Sequence, residues 1–166
     1  MTRPAAPPES EPMPDIRPFT PDMAAACGTL FYNAVQIGAA AHYGQSQRDA
    51  WAGAPIPADR FLTRFADQKV LTAWNDTQLT GFMTLRADGY LDMAFVAPEA
   101  RGTGTADALL AGLLSHAKAN GLSRLFTFAS FPARSFFARH GWCVIRPNIV
   151  TIGNVTLENF EMEFRL

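Results

Sequence analysis

The run Phe95-Val96-Ala97-Pro98-Glu99-Ala100-Arg101-Gly102-Thr103-Gly104-Thr105-Ala106 is where residue types and spacing point most directly to chemistry. An apolar strand ends at a proline, turns through two glycines and opens a long helix. The first N–H groups of a helix have no intrahelical partner, and the helix dipole favours negative charge there. Phosphate can be held at such a start with few charged side chains. Glycine carries no β-carbon and tolerates positive φ, so the backbone can approach a ligand closely. The stretch therefore predicts a phosphate-bearing cofactor. A Rossmann fingerprint is excluded because Asp107 stands where its third glycine belongs, and a P-loop because no lysine lies near the turn.

The elements that must position this loop follow from hydrophobic period and turn residues. A short strand is expected over Asp15 to Phe19, then a helix with Thr20 at its cap and Pro21 at its first position, running to about Ala40. Two further helices are expected over Ser46 to Trp51 and Pro57 to Phe65. The period then changes: Val70 to Trp74, Leu79 to Leu85 and Tyr90 to Val96 read as three strands joined by tight turns, an antiparallel meander. A helix from Gly104 to Asn120 stops at Gly121, a strand follows over Arg124 to Phe128, and a helix over Pro132 to His140. Trp142 to Ile145 and Val155 to Phe164 complete the chain as strands. The crossover helix makes Tyr90–Val96 and Arg124–Phe128 a parallel pair. The expected fold is α/β, a mixed and mostly antiparallel sheet with helices on both faces.

Arg101-Gly102-Thr103-Gly104-Thr105-Ala106, after Val-x-Pro and before Leu109-Leu110, resembles the acetyl-CoA loop of the GNAT acyltransferases. The element order β-αα-βββ-α-β-α-ββ is similar to the layout of that family from about residue 15 to the end. Ile16-Arg17-Pro18 with Asp22 resembles its usual opening, and Phe136-Phe137-Ala138-Arg139-His140-Gly141-Trp142 its penultimate helix and turn. His42-Tyr43-Gly44 through Ala50-Trp51-Ala52 is similar to a subgroup of small bacterial members, the YafP type.

The resemblance implies a central pair of splayed parallel strands with pantetheine in the gap, bonded to the backbone of Ala94, Phe95 and Val96. It implies pyrophosphate on the backbone of Gly102, Thr103, Gly104, Thr105 and Ala106, with Arg101 at the loop start. It implies acetyl-CoA as co-substrate, an amine acceptor on a small molecule or protein, and direct attack in a ternary complex. The backbone N–H of Phe95 or Val96 is the candidate for polarising the thioester carbonyl.

Such a transfer needs a base for a protonated amine and an acid for the leaving thiolate. Asp92 shares a strand face with Ala94 and Val96 and is the candidate base, direct or through water. Alternatively it faces water or holds a neighbouring loop. The family's usual tyrosine acid falls at Phe137, which has no proton to give, and a frequent asparagine falls at Ser130. Protonation is then left to water, to Ser130 or to another element. His42 and Tyr43 are candidates for both catalysis and acceptor binding, or else pack and cap a helix end. Trp51 is expected as an acceptor-site wall or core residue. An acyl-CoA-binding module without catalysis is the rival reading, and Phe137 favours it.

Composition bounds the rest. With 166 residues, 48% hydrophobic, 17% charged and a net charge of −1, the chain reads as one domain over residues 15–166, with no basic excess for nucleic acid or anionic membrane. Residues 1–14, with five prolines among Ala, Ser and Glu, read as a disordered leader without the apolar centre of a signal peptide. Cys27 and Cys143 are expected as reduced thiols, no metal site is expected, and the location expected is cytoplasmic. Homodimers are common among similar proteins, but no sequence segment names an interface.

Overall fold

A computed structural model describes residues 13–166; the expected leader falls almost wholly outside the described residues. Twelve elements follow one another. They are β1 (Asp15–Pro18), α1 (Ala24–Gln36), α2 (Gln45–Ala52), α3 (Ala58–Phe65), β2 (Gln68–Asn75), β3 (Gln78–Arg86), β4 (Leu91–Val96), α4 (Thr105–Ala119), β5 (Arg124–Ala129), α5 (Phe131–Arg139), β6 (Cys143–Ile152) and β7 (Val155–Arg165). Strands β1-β2-β3-β4 form one antiparallel sheet and β5-β7-β6 a second. The two meet where β4 would pair with β5 in parallel, and there a single bridge, Tyr90 with Phe126, joins them. Beyond it the strands diverge, as the resemblance implied.

Alternation along the central strands builds a core on each face. Val70 and Phe82 point to α1 and α3, where Phe31, Phe61 and Phe65 cluster. Leu71, Met83 and Leu85 point the other way, to Leu109, Leu110 and Leu113 of α4. Strands covered on both faces read as continuous apolar runs, and β3 is buried from Leu79 to Leu85.

The first helix is shorter than its pattern suggests. Pro21–Met23 forms a 3₁₀ turn, and α1 stops at Gln36 rather than near Ala40. The Gly38 carbonyl accepts a hydrogen bond from Arg101 Nη1 at 2.8 Å. A β-carbon on Gly38 would lie 2.5 Å from that guanidinium, so the helix gives way where Arg101, from the loop between β4 and α4, crosses it. Residues 37–43 continue as turns, which places His42 and Tyr43 after the helix rather than closing it. The other expected elements occur in order with ends shifted by a few residues, most of all β6, which extends to Ile152. Cys27 and Cys143 are unpaired, and burial pushes the Cys27 thiol up to about 12. Among the described residues no helix is long and apolar enough to cross a membrane.

Candidate active site

The loop between β4 and α4 has the conformation its glycines allow. Gly102 and Gly104 have φ of +75° and +84°, a region L residues rarely adopt. The first helical hydrogen bond of α4 runs from the Ala108 N–H to the Gly104 carbonyl at 3.0 Å. The N–H groups of Thr105, Ala106 and Asp107 therefore precede the helical ladder, and Gly104 has no side chain with which to cap them. They open onto a groove of about 340 Å³. Its floor is Ala94, Phe95 and Val96, and its far wall is α5, with Phe136, Phe137 and Arg139. The Thr103 hydroxyl instead turns back to the Ala100 carbonyl and Thr105, bracing the loop from behind. His140 Nε2 lies 2.6 Å from Asp107 Oδ1 and ties the end of α5 to the start of α4 across this groove.

Pairing of β4 decides which of its amides face the gap. The Ala97 N–H bonds the Thr80 carbonyl at 2.8 Å, and the register runs unbroken through Gly81–Val96, Phe82–Phe95 and Met83–Ala94. In an antiparallel pair the bonds alternate, so Phe95 pairs with β3 while the N–H groups of Ala94 and Val96 turn to the open edge.

A second chamber, of about 360 Å³, lies on the α1–α3 side. Rings of Phe31, Trp51, Tyr90 and Phe128 line it, with Val150 and Leu157 from the β6–β7 hairpin. Trp51, Phe95 and Ser130 line both this chamber and the groove. Ser130 caps α5, its hydroxyl oxygen accepting from the Ala133 N–H at 3.4 Å, which leaves its own proton free to donate.

Asp92 lies in the second chamber, but not as a free carboxylate. Arg64 grips it through Nε at 2.9 Å and Nη2 at 2.8 Å, and Gln68 Nε2 donates to it at 2.9 Å. Burial works against its charged form, yet these hydrogen bonds and the Arg64 charge outweigh burial and hold the carboxyl below the usual 3.8. The alternative in which it holds a neighbouring element describes this geometry. Tyr43 is buried, and its hydroxyl donates to the Glu158 carbonyl at 2.7 Å and accepts from the Phe131 N–H at 3.2 Å. Burial first, and then the Glu158 charge, raise its pKa. His42 is exposed and stacks on Phe131, with ring centroids 5.8 Å apart. Phe137 is 1% exposed and packs on Trp142.

Arg64, Tyr90 and Arg139 were not singled out by sequence. A helix-surface arginine carries no signal until the strand it reaches is known.

Comparison with known proteins agrees with this architecture. The family model for the acetyltransferase (GNAT) domain matches residues 39–164. The uncharacterized N-acetyltransferase YafP of Escherichia coli (strain K12) is 33% identical over 151 residues, covering 90% of this chain and 95% of that protein. The crystal structure of a GCN5-related N-acetyltransferase from Rhodopseudomonas palustris superposes with a TM-score of 0.88 at 30% identity, over 93% of this chain and 97% of the other. PaiA N-acetyltransferase from Thermoplasma acidophilum, solved in complex with coenzyme A, superposes at 0.77 with 19% identity, over 93% and 99%. With the loop, the splayed strands and these matches in agreement, the chain belongs to the GNAT acetyltransferase family.

Proposed function

We propose that the protein transfers the acetyl group of acetyl-CoA to the nitrogen of a primary amine by direct attack in a ternary complex. One observation carries the reading: two chambers of different character meet at Trp51, Phe95 and Ser130. On one side are the open N–H groups of the loop before α4, which suit a phosphate, and on the other an aromatic chamber, with a free hydroxyl at the junction. That the Thermoplasma protein of similar fold was solved in complex with coenzyme A supports a CoA-binding role for the groove here.

On this reading the open N–H groups of Thr105, Ala106 and Asp107 and the Gly102–Gly104 backbone hold the pyrophosphate, with Arg101 and Arg139 adding positive charge. Ala94 and Val96 bond the pantetheine arm from the open edge of β4. The Val96 N–H, rather than that of Phe95, polarises the thioester carbonyl, because Phe95 is committed to β3. Ser130 gives a proton to the departing thiolate, the place that Phe137 cannot fill. Asp92 anchors α3 through Arg64 and shapes the acceptor chamber. Tyr43 holds the α1–α2 turn against β7 and α5 as a positioning residue, His42 covers Phe131 at the rim, and Trp51 walls the acceptor.

Calorimetric titration with acetyl-CoA, followed by CoA-thiol release with an amine panel, tests this. Saturable binding with amine-dependent thiol release is expected. Phe137 favours a second reading, a CoA-binding module without catalysis, and binding without release from any amine would establish it. Failure to bind acetyl-CoA in the folded protein overturns both.

A further inference from the structure

We infer that the acceptor is an aromatic amine whose nitrogen is uncharged at neutral pH, an inference that rests on the acetyl-transfer reading above. The walls of the acceptor chamber argue for the aromatic body. Phe31, Trp51, Tyr90, Phe95 and Phe128 contribute rings, and Ile56 and Val150 add aliphatic surface. Phe31 and Phe95 meet edge to face at 4.7 Å, and Trp51 tilts against Phe95 at 6.1 Å. A flat apolar body gains from such walls by burial and by ring contacts.

The charged groups around the chamber argue for the neutral nitrogen. An alkylammonium is held best beside a free carboxylate and must give up its proton to a base before it attacks, whereas rings alone hold it more weakly. From α3 comes Arg64, and from β4 comes Asp92, whose charge Arg64 already offsets through paired hydrogen bonds. Before β4 stands Tyr90, whose phenol burial pushes up and the Asp92 charge pushes further, so it holds its proton. From the α1–α2 turn comes Tyr43, with its hydroxyl taken by backbone groups. From β7 comes Glu158. Leu157 and its cross-strand partner Val150 face the chamber, so alternation turns the exposed Glu158 side chain, with Ile149, to the other face of β7, although its charge is still felt by the Tyr43 phenol. The Glu158 backbone carbonyl is what meets Tyr43. Glu161, on the chamber's side of β7, is paired with Arg146 at 2.6 Å. Among the described residues the two carboxylates on the chamber's own side, Asp92 and Glu161, are both paired with arginines, and Glu158 acts on it only from the other face of β7.

A neutral amine needs no free carboxylate. Its lone pair forms the C–N bond at the thioester carbonyl carbon, the C–S bond breaks, and the electron pair leaves on sulfur. One N–H proton must be lost and one proton must reach the thiolate. Ser130, at the junction, accepts the first while giving up its own to the second, so the transfer balances without an external base.

The test compares three amines at saturating acetyl-CoA by CoA-thiol release: p-toluidine, neutral at pH 7; 4-methylbenzylamine, of similar size but cationic; and spermidine. We expect kcat/KM for p-toluidine to exceed that for 4-methylbenzylamine by at least ~tenfold at neutral pH. The p-toluidine rate should stay flat between pH 7 and 9 while the benzylamine rate climbs about tenfold per unit, as its neutral fraction grows. Calorimetry of the CoA-loaded protein should detect p-toluidine but not spermidine. Faster transfer to spermidine or 4-methylbenzylamine at neutral pH overturns the inference and leaves the acetyltransferase reading standing. So does a large loss of activity in Glu158→Gln, which would make Glu158 the counter-ion. No transfer to p-toluidine, with acetyl-CoA bound, overturns the inference, and the acetyltransferase reading then falls only if the wider amine panel is silent too.

Discussion

The Arg64 guanidinium and the Asp92 carboxylate, from α3 and β4, form a bidentate pair with contacts of 2.8 and 2.9 Å. The carboxylate side chain is 10% exposed and the guanidinium 47%. Planar pairing of this kind fixes geometry as well as charge. It turns the one acid on β4 into a strut for α3, and it makes stability sensitive to acid.

Because the folded-state pKa of Asp92 is depressed, its contribution is present above the unfolded value and is lost as pH falls through the lower, folded one. Asp92→Asn should therefore cost about 1–2 kcal/mol at neutral pH, discounted for the exposure of Arg64. The deficit should shrink below the ordinary 3.8, where the wild type loses the same interaction. Urea unfolding of both proteins across that acid range measures it, with acetyl-CoA affinity expected to be unchanged.

Ser130→Ala removes both a helix cap and the junction hydroxyl. The cap is worth about 1 kcal/mol. The proton transfer is worth about 10²-fold or more in kcat. Ser130→Thr keeps the hydroxyl and should keep most turnover at similar stability. Steady-state kinetics beside thermal melts separate the two effects, and equal turnover in all three proteins would remove Ser130 from the chemistry.

Gly104→Ala and Gly104→Asp differ in charge at one strained position. Nothing lies within 4 Å of a β-carbon there, so alanine meets only the positive-φ cost of about 1–2 kcal/mol. Alanine should weaken acetyl-CoA binding modestly, whereas aspartate, set against the pyrophosphate, should abolish it. Calorimetry that found both variants alike would remove the phosphate from this loop.

Tyr43→Phe leaves the Glu158 carbonyl and the Phe131 N–H without their shared hydroxyl. The expected cost is about 1–3 kcal/mol of stability. The kcat of the residual folded protein should stay within a few-fold of wild type. A drop of about 10²-fold at unchanged stability would instead make Tyr43 the proton donor.

Most of the scaffold was legible in the residues. Pattern changes near Val70 and the glycine turns mark nearly every element, and the Gly102–Gly104 turn marks the loop that opens onto the groove. What escaped was set by distance in sequence. Nothing local announces that Arg64 meets Asp92, 28 positions on, or that the Tyr43 hydroxyl ends on Glu158, 115 positions away. The end of α1 was overrun because the apolar pattern continues past Gly38 while the Arg101 side chain, from another element, interrupts it. Ser130 could be named but not its place at the junction, which exists only once β5 has diverged from β4.

That divergence also bears on how the molecule comes apart. Each half-sheet is assembled from a contiguous piece of chain, residues 15–96 for the first and 124–165 for the second. The lone Tyr90–Phe126 bridge is the entire backbone ladder between them, although side chains of α4 and α5 span the join. Local ladders form early and protect their amides well, whereas a join with few backbone bonds opens at lower free energy. In amide exchange, the β4 amides that turn away from β3 should be the first interior strand positions to lose protection. The most readily breached line of the native state thus runs along the floor of the groove itself.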